Sequence, residues 1–322
     1  MYGVVGWCRA RTSLGLLGCL LSLASTAAGQ TPTPGNSRPL ADGVLRVVAA
    51  EPDAAATVDK PVTLPELAAA AAQLDWKPSS LPATETLKAA LDRAALRRSV
   101  WQLEFGYKPL RTIRVNLKQP DGTVRSTVVW YLVYYVRNAG SGLNLEREAP
   151  DPAGLQKVTL KPGSGPVRFL PSFTLVGHDR TASYAESILP MAVEQIRQRE
   201  LPKETLYDSV SIGRLNLKPA EAPDEGKVWG VATWINVDPD TDFMSVYVQG
   251  LTNGYRLVED RQGTRRELRT LRLNFWRPGD AIDPTADDIT FGIPFADDPT
   301  EQSGILEAYG TQERLDYEWI YR

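Results

Sequence analysis

The spacing of apolar residues changes at Trp101 to a period of two, and this change limits the fold more than any other feature of the chain. Residues 113–117 alternate apolar and polar side chains, as a strand with one buried face does. The sequence at 120–122, Pro-Asp-Gly, then predicts a hairpin turn. The return segment, 128–136, is apolar at every position. It is typical of a central strand that is covered on both faces by a second sheet or by a helix.

Later segments repeat this pattern of short apolar runs between turn residues. They are rarely separated by long helices, which favours antiparallel β-sandwiches over a parallel α/β sheet. The fold class that we predict is therefore mainly β. Further strands are expected at 157–160, 167–176, 209–217, 228–237, 243–251 and 268–276.

Three segments predict helices at the edges of this β framework. A capping box at 63–66 begins one helix, and an amphipathic pattern predicts a second from about Thr84. A third stretch, 182–200, carries an apolar stripe that is interrupted by Pro190. Because proline lacks an N–H, we expect either a kink there or a helix that restarts with Pro190 in its first turn.

An apparent internal repeat suggests how the strands are grouped. The motif at 114–118 recurs at 214–218, and the motif at 129–132 recurs at 228–231. Both pairs are about 100 residues apart, the size of one immunoglobulin-like sandwich. The alternative is coincidence, because any two strands share alternation. With the repeat, the expected order is a signal peptide (1–29), a disordered linker (30–62), a helical arm (63–100) and tandem immunoglobulin-like β-sandwiches (101–200, with a helix near its end, and 201–322).

The first 29 residues have the three-part order of a secretory signal peptide. Arg9 and Arg11 precede an apolar run at 14–24, which small residues follow. The run has about half of the roughly 20 apolar residues that a transmembrane helix needs. We therefore expect cleavage near residues 28–30, no transmembrane span afterwards, and a secreted or periplasmic protein. A lipoprotein-like box at 16–19 offers lipid anchoring through Cys19 as the alternative.

The composition excludes several kinds of chemistry. Both cysteines, Cys8 and Cys19, precede the expected cleavage site, so the mature chain would have no disulfide and no thiolate site. The one histidine, His178, ends an apolar run beside Asp179 and is interpreted as a turn residue rather than a catalytic base. No serine-nucleophile, phosphate-loop, zinc or dinucleotide motif occurs. A net charge of −3 gives no basic excess for binding nucleic acid.

The alternating carboxylates Asp238, Asp240 and Asp242 are weak candidates for a metal site, because calcium needs several oxygen ligands. Phe243 and Gln249 stand where a calcium loop has glycine and glutamate. A turn between two strands is therefore the preferred interpretation, and we expect neither a metal nor a cofactor.

Several segments also resemble a family of uncharacterised exported proteins from planctomycete-type bacteria. The resemblance spans about 101–280 and supports an exported location. It implies no activity, ligand or catalytic residue. The segments that carry it are 101–105, 108–111, 129–138 and 246–254.

These observations predict a non-enzymatic exported protein with an interaction or structural role in the cell envelope. Its expected partners are envelope proteins or polysaccharide, and the candidate binding residues are Tyr255 and Trp276. A carbohydrate-binding module is one alternative, and it requires a row of exposed aromatic side chains. A carboxylate-dependent hydrolase is another, and it requires two carboxyl groups that face each other across a cleft.

Overall fold

A computed structural model describes most of the chain from residue 45 onward. The described residues belong to one unit, Ser37–Arg322. The predicted signal peptide with Cys19, and the capping box at 63–66, lie outside them. The described ranges are 45–61, 95–118, 121–147, 158–179, 182–201, 203–260, 263–278 and 289–322.

The described chain is mainly β, as the sequence predicts. Three helices, α1 (Pro190–Glu200), α2 (Ser209–Ile212) and α3 (Pro299–Tyr309), and one 3-10 turn (Ala55–Thr57) accompany the strands. The strands are β1 (Arg46–Val48), β2 (Val58–Pro61), β3 (Ala95–Arg97), β4 (Val100–Trp101), β5 (Glu104–Tyr107), β6 (Arg111–Lys118), β7 (Val124–Arg137), β8 (Gly142–Arg147), β9 (Val158–Pro162), β10 (Ser172–Gly177), β11 (Ala182–Ala185), β12 (Leu206–Tyr207), β13 (Val228–Trp234), β14 (Phe243–Gln249), β15 (Tyr255–Asp260), β16 (Gly263–Trp276), β17 (Thr290–Phe291) and β18 (Tyr317–Tyr321).

Most of these strands form two large sheets. The first sheet has the order β1-β5-β7-β13-β12, and β6 also pairs with β7. The second has the order β11-β10-β14-β16-β15, and β17 and β18 also pair with β16. The pairing is antiparallel except between β12 and β13. Two small sheets, β2-β3 and β4-β8-β9, complete the described strands.

The two large sheets enclose one shared core. Alternate side chains of β7 point towards the second sheet, while those between them point outward against α1. Strand β7 is thus covered by a sheet on one face and by a helix on the other, which explains its continuous apolar sequence and confirms the prediction. The inner cluster includes Trp130, Leu132, Tyr134 and Val136 from β7, and Met244, Val246, Leu271, Leu273 and Phe275 from the second sheet.

Helix α1 is fixed to the first sheet by a buried carboxylate at its last residue. Glu200 accepts hydrogen bonds from Lys108 Nζ (3.0 Å), Arg111 Nη1 (3.0 Å) and the Tyr131 hydroxyl (2.8 Å). Its charge is therefore paired and hydrogen-bonded, as a buried charge must be. The helix begins at Pro190, which confirms the predicted restart with proline in the first turn, but the start of the predicted helical stretch 182–200 is strand β11 instead.

The structure does not show the repeat predicted at a spacing of about 100 residues. The strands that contain its two apolar motifs, β7 and β13, are neighbours in one sheet rather than equivalent strands of two sandwiches: Trp130 lies opposite Trp234, and Tyr135 opposite Trp229. Strand β10 likewise pairs with β14 across the predicted boundary at residue 200. Both large sheets draw strands from both predicted units, so tandem immunoglobulin-like domains are not seen.

Three local predictions also need correction. The predicted strand at 209–217 begins with α2, since Asp208 caps a helical turn by accepting a hydrogen bond from the Ser211 amide. The end of the predicted second helix is strand β3, which pairs with β2. The predicted linker includes β1, which pairs with β5, and the buried residues Ala56 and Thr57.

The two sheets nevertheless follow one plan. Their long strands, β7 and β16, each have 14 residues. One edge of β7 pairs with the two preceding strands, β5 and β6, and one edge of β16 pairs with the two preceding strands, β14 and β15. The other edge pairs with β13 or β18. An 11-residue helix that begins with proline precedes each of these two strands in the chain: α1 precedes β13, and α3 precedes β18.

Candidate binding slot beside strand β7

One edge of β7 is paired along only half of its length. Strand β13 covers residues 130–136, and in the described part of the chain no strand covers 124–129 on that side. At the opposite edge, the carbonyl of Val133 accepts a hydrogen bond from the backbone amide of Lys108 (2.9 Å). Because backbone groups alternate along a strand, the N–H and C=O groups of Val124, Ser126 and Val128 point to the uncovered edge.

Strand β13 stops where its chain turns away from β7. Asn236 has a φ of 58° and is the one described residue besides glycine with a positive φ. Asparagine tolerates this left-handed conformation better than most residues do. The chain that follows diverges from β7 and leaves a slot of about 470 Å³ beside the uncovered edge. The slot is lined by 125–128, Trp130 and Leu117 on one side and by 235–237 and Pro239 on the other.

Both walls of the slot carry apolar surface. Val128, Trp130 and Val237 belong to the inner core, while Leu117 and Ile235 pack with the outer cluster beside α1. An extended chain in the slot would thus meet apolar side chains on both of its faces and backbone hydrogen-bonding groups along its edge. Strand addition uses this combination to bind polypeptides.

The side of the slot formed by 235–237 and Pro239 is held in place by hydrogen bonds of the loop that contains the candidate metal ligands. Arg277 Nη2 donates to the carbonyl of Pro239, and the Arg277 amide donates to the carbonyl of Asp242 (2.9 Å). The Asp238 amide donates to the Tyr184 hydroxyl (3.1 Å). These bonds tie the wall to β11 and to the end of β16.

The carboxylates of Asp238 and Asp242 in this loop have structural partners. Asp238 Oδ1 accepts from the Asp240 amide (3.0 Å), and Asp242 Oδ1 lies 3.3 Å from Arg277 Nη2. The Asp242 amide donates to Asp179 (2.9 Å). Across the described residues, no group of three or more histidine, cysteine, aspartate or glutamate side chains is placed to hold a metal ion.

The second sheet has a comparable uncovered edge, but that edge is charged. Strand β18 pairs with residues 269–273 of β16 and leaves 263–267 without a strand there in the described chain. This part contains Arg265, Arg266 and Glu267, and Glu267 forms an ion pair with Arg265. Charged side chains discourage the addition of another strand. The β7 edge has one charge among valine, serine and threonine residues, so it is the better docking edge.

The candidate residues Tyr255 and Trp276 are not brought into one site. Tyr255 is opposite Leu268 on β16, and Trp276 lies eight positions further along that strand, which is about 26 Å. The guanidinium carbons of Arg98 and Arg266 lie 3.1 and 4.1 Å from the Tyr255 ring centroid. The Tyr255 ring is therefore stacked on arginine.

His178 takes part in a buried hydrogen-bond chain. The Ser245 hydroxyl donates to Asn274 Oδ1 (2.8 Å), so His178 Nε2, at 2.7 Å, must be the donor to the serine oxygen. Ser245 and Asn274 are fully buried, and the Tyr309 ring lies 4.7 Å from the histidine ring. Burial and the nearby Arg272 lower the pKa of His178 to about 4. A neutral histidine that donates to serine cannot also accept its proton.

A second perturbed group is the carboxyl of Glu186, which lies between β11 and α1. Its Oε1 accepts a hydrogen bond from the Ser209 hydroxyl at 2.6 Å. Burial raises the pKa of Glu186 to about 7, and the nearby carboxylate of Asp208 also raises it. Asp208 itself caps α2 through the Ser211 amide. Both carboxyl groups therefore have structural partners, and sequence reasoning did not single out either of them.

The slot could not be found from the sequence either, because its outline depends on where β13 ends.

None of the described helices is both long and apolar enough to cross a membrane. Comparisons of the chain with protein-family models, curated proteins and solved structures found no match.

Proposed function

We propose that the protein is an exported, non-enzymatic interaction protein of the cell envelope, and that it binds an extended polypeptide segment along the uncovered edge of β7. The observation that carries this proposal is the row of outward-pointing backbone groups at Val124, Ser126 and Val128 beside the slot. Unpaired strand edges readily accept another strand.

The slot suits a short segment of polypeptide. Its volume of about 470 Å³ lies within the range of ordinary ligand sites. Backbone hydrogen bonds would give affinity, and the alternating side chains of the segment would contact the apolar walls. Val124, with 66% of its surface exposed, would be partly covered by such a segment.

The exported location rests on the sequence of residues 1–29. Sequencing the amino terminus of the protein from the periplasmic or culture fraction tests this part of the proposal. We expect the mature chain to begin near residues 28–30. An intact amino terminus in the cytoplasmic fraction would refute it.

The binding proposal is tested by Ser126→Pro. Proline removes the outward N–H of residue 126 and leaves the β6 pairing intact, because proline is tolerated where the N–H of an edge strand faces solvent. Ser126→Ala is the matched control, since it removes the hydroxyl and keeps the N–H. Short random peptides are selected for binding to the wild-type protein, and their affinity is then measured for both variants.

We expect the selected peptides to bind the wild type and Ser126→Ala equally, and to lose at least tenfold in affinity for Ser126→Pro, which corresponds to about 1.4 kcal/mol. The melting temperatures should be similar for all three proteins. Equal binding to Ser126→Pro would place the peptides elsewhere and refute strand addition at β7.

A further inference from the structure

Two extended segments, 166–170 and 214–218, meet as a short antiparallel ribbon over the inner core. Val167 and Leu217 exchange backbone hydrogen bonds in both directions, at 3.0 and 2.8 Å, and their side chains pack in the core. Because side chains alternate along extended chain, the residues beside this pair point outward. The outward side chains, which we call the ribbon face, are those of Arg168, Leu170, Arg214, Asn216 and Lys218, and all are exposed.

The ribbon face is basic in a chain whose net charge is −3. The stretches 158–178 and 209–220, which contain the two segments, have no aspartate or glutamate. Within the described part of the chain, no carboxylate forms an ion pair with Arg168, Arg214 or Lys218. The three positive charges are therefore available to an anionic ligand.

The acids that adjoin the second segment in the sequence belong to other features. Asp208 caps α2, where its carboxylate accepts hydrogen bonds from the amide and the hydroxyl of Ser211. Glu221 follows Ala220, whose amide donates to the Asn138 carbonyl at the end of β7 (2.9 Å). The chain has thus turned away from the ribbon before the next acid is reached.

Two exposed apolar side chains lie beside these cations. Leu170 has 68% of its surface exposed and Val210 has 53%. A Cβ atom at Gly213 would lie 3.3 Å from Leu170 Cδ2, so the leucine contacts the end of α2. Val210 is three residues before Gly213 and therefore lies on the same side of this helical turn. Covering both side chains would remove apolar surface from water, which is favourable.

We infer that the ribbon face docks the protein on the surface of an anionic phospholipid membrane. Its cations would contact lipid phosphates, while Leu170 and Val210 would enter the boundary between headgroups and acyl chains. A soluble anionic polymer would use the cations but leave both apolar side chains in water. None of the residues that line the slot belongs to this face, so the inference adds a second surface to the proposed function.

The attachment would be reversible, because three cations and two apolar side chains form a small contact. The test is sedimentation of the full-length mature protein with vesicles. We expect binding to vesicles of phosphatidylcholine and phosphatidylglycerol, and much weaker binding to phosphatidylcholine alone. Added salt should weaken the binding, since the cations are exposed.

Two lysines in the same local sequence, Asn-Leu-Lys, provide a matched pair of variants. Lys218 is on the ribbon face, and Lys118 is an exposed residue of β6. We expect Lys218→Gln to lower the partition coefficient about fivefold, because each cation near an anionic membrane contributes about 1 kcal/mol. Lys118→Gln removes the same charge elsewhere and should bind as the wild type does. Equal losses in both variants would show an effect of net charge alone and would overturn the inference.

Leu170→Ser distinguishes a membrane from a soluble polymer. We expect this variant to bind the anionic vesicles more weakly than the wild type, with a similar melting temperature, because the leucine is mostly exposed. Vesicle binding that is unchanged in Leu170→Ser, or binding to soluble polyphosphate without binding to vesicles, would overturn the membrane assignment. Ser126→Pro should bind vesicles normally, so failure of the slot and failure of the ribbon face are distinguishable.

Discussion

At the scale of single residues, the buried carboxyl of Glu186 should make the stability of the fold depend on pH. The pKa of this group is about 7 in the folded state against 4.5 for an exposed glutamate. Between these pH values the folded state keeps the proton and the unfolded state loses it. The free energy of unfolding therefore falls as pH rises from about 4.5 to 7, by at most about 3 kcal/mol.

Glu186→Gln tests this dependence, because glutamine has the same shape and no charge to bury. We expect the variant to melt at a higher temperature than the wild type at pH 8, with little or no advantage at pH 4.5. His178→Gln is the control, since the lowered pKa of His178, about 4, affects stability only between about pH 4 and 6.5 and with the opposite sign. Parallel pH profiles for Glu186→Gln and the wild type would contradict the burial of this charge.

At the scale of secondary-structure elements, two glycines allow tyrosine rings to lie across the first sheet. Gly230 of β13 is opposite Tyr134, and a Cβ atom there would lie 2.5 Å from the tyrosine ring. Gly106 of β5 has the same relation to Tyr135. Tyrosine rings thus cover the strand surface that each glycine leaves open.

Gly230→Ala should therefore lower stability by about 1–3 kcal/mol, because the added methyl group overpacks a filled core. Gly304→Ala is a matched control with the opposite sign. Gly304 lies inside α3 with nothing near its missing Cβ, so alanine there should raise stability by about 0.5–1 kcal/mol. Urea denaturation measures both changes. A Gly230→Ala protein as stable as the wild type would show that Tyr134 moves aside without cost.

The sequence was sufficient to predict those elements whose pattern is set locally. The alternation in β6, the glycine of its turn with a φ of 85° at Gly122, and the break at Pro190 are all found as expected. The sequence predicts a strand at 209–217 because Val210 and Ile212 alternate with serine, as they would in a strand. The cap at Asp208 instead stabilises a short helical turn, and so local capping outweighs a weak period of two.

At the scale of the whole molecule, the choice of partners for each strand could not be predicted. The continuous apolar sequence of β7 indicates burial on both faces, but it does not tell which strand lies beside it. Any strand with alternating residues resembles another, so the sequences of β7 and β13 look like copies of one motif although the two strands are neighbours in one sheet. The slot is hidden for the same reason, since it depends on the φ of Asn236 and on the absence of a β13 partner for residues 124–129.

This sharing of sheets leads to a prediction about the chain cut at residue 200. The first sheet needs β7 from one side of the cut and β13 from the other, and the second needs β10 and β14. Neither 45–200 nor 201–322 can bury the common core by itself, so each fragment should be unfolded when expressed alone. The intact chain should unfold in a single cooperative transition.

Circular dichroism and calorimetry of the two fragments and of the intact chain provide the measurement. An equimolar mixture of the fragments should regain β structure, because the two parts supply complementary strands to one core. The mixture should melt below the intact chain, since association of two pieces costs entropy that a single chain does not lose. Two fragments that each melt cooperatively in isolation would instead restore the two-domain organisation, and the shared core in which Trp130 lies opposite Trp234 would then be wrong.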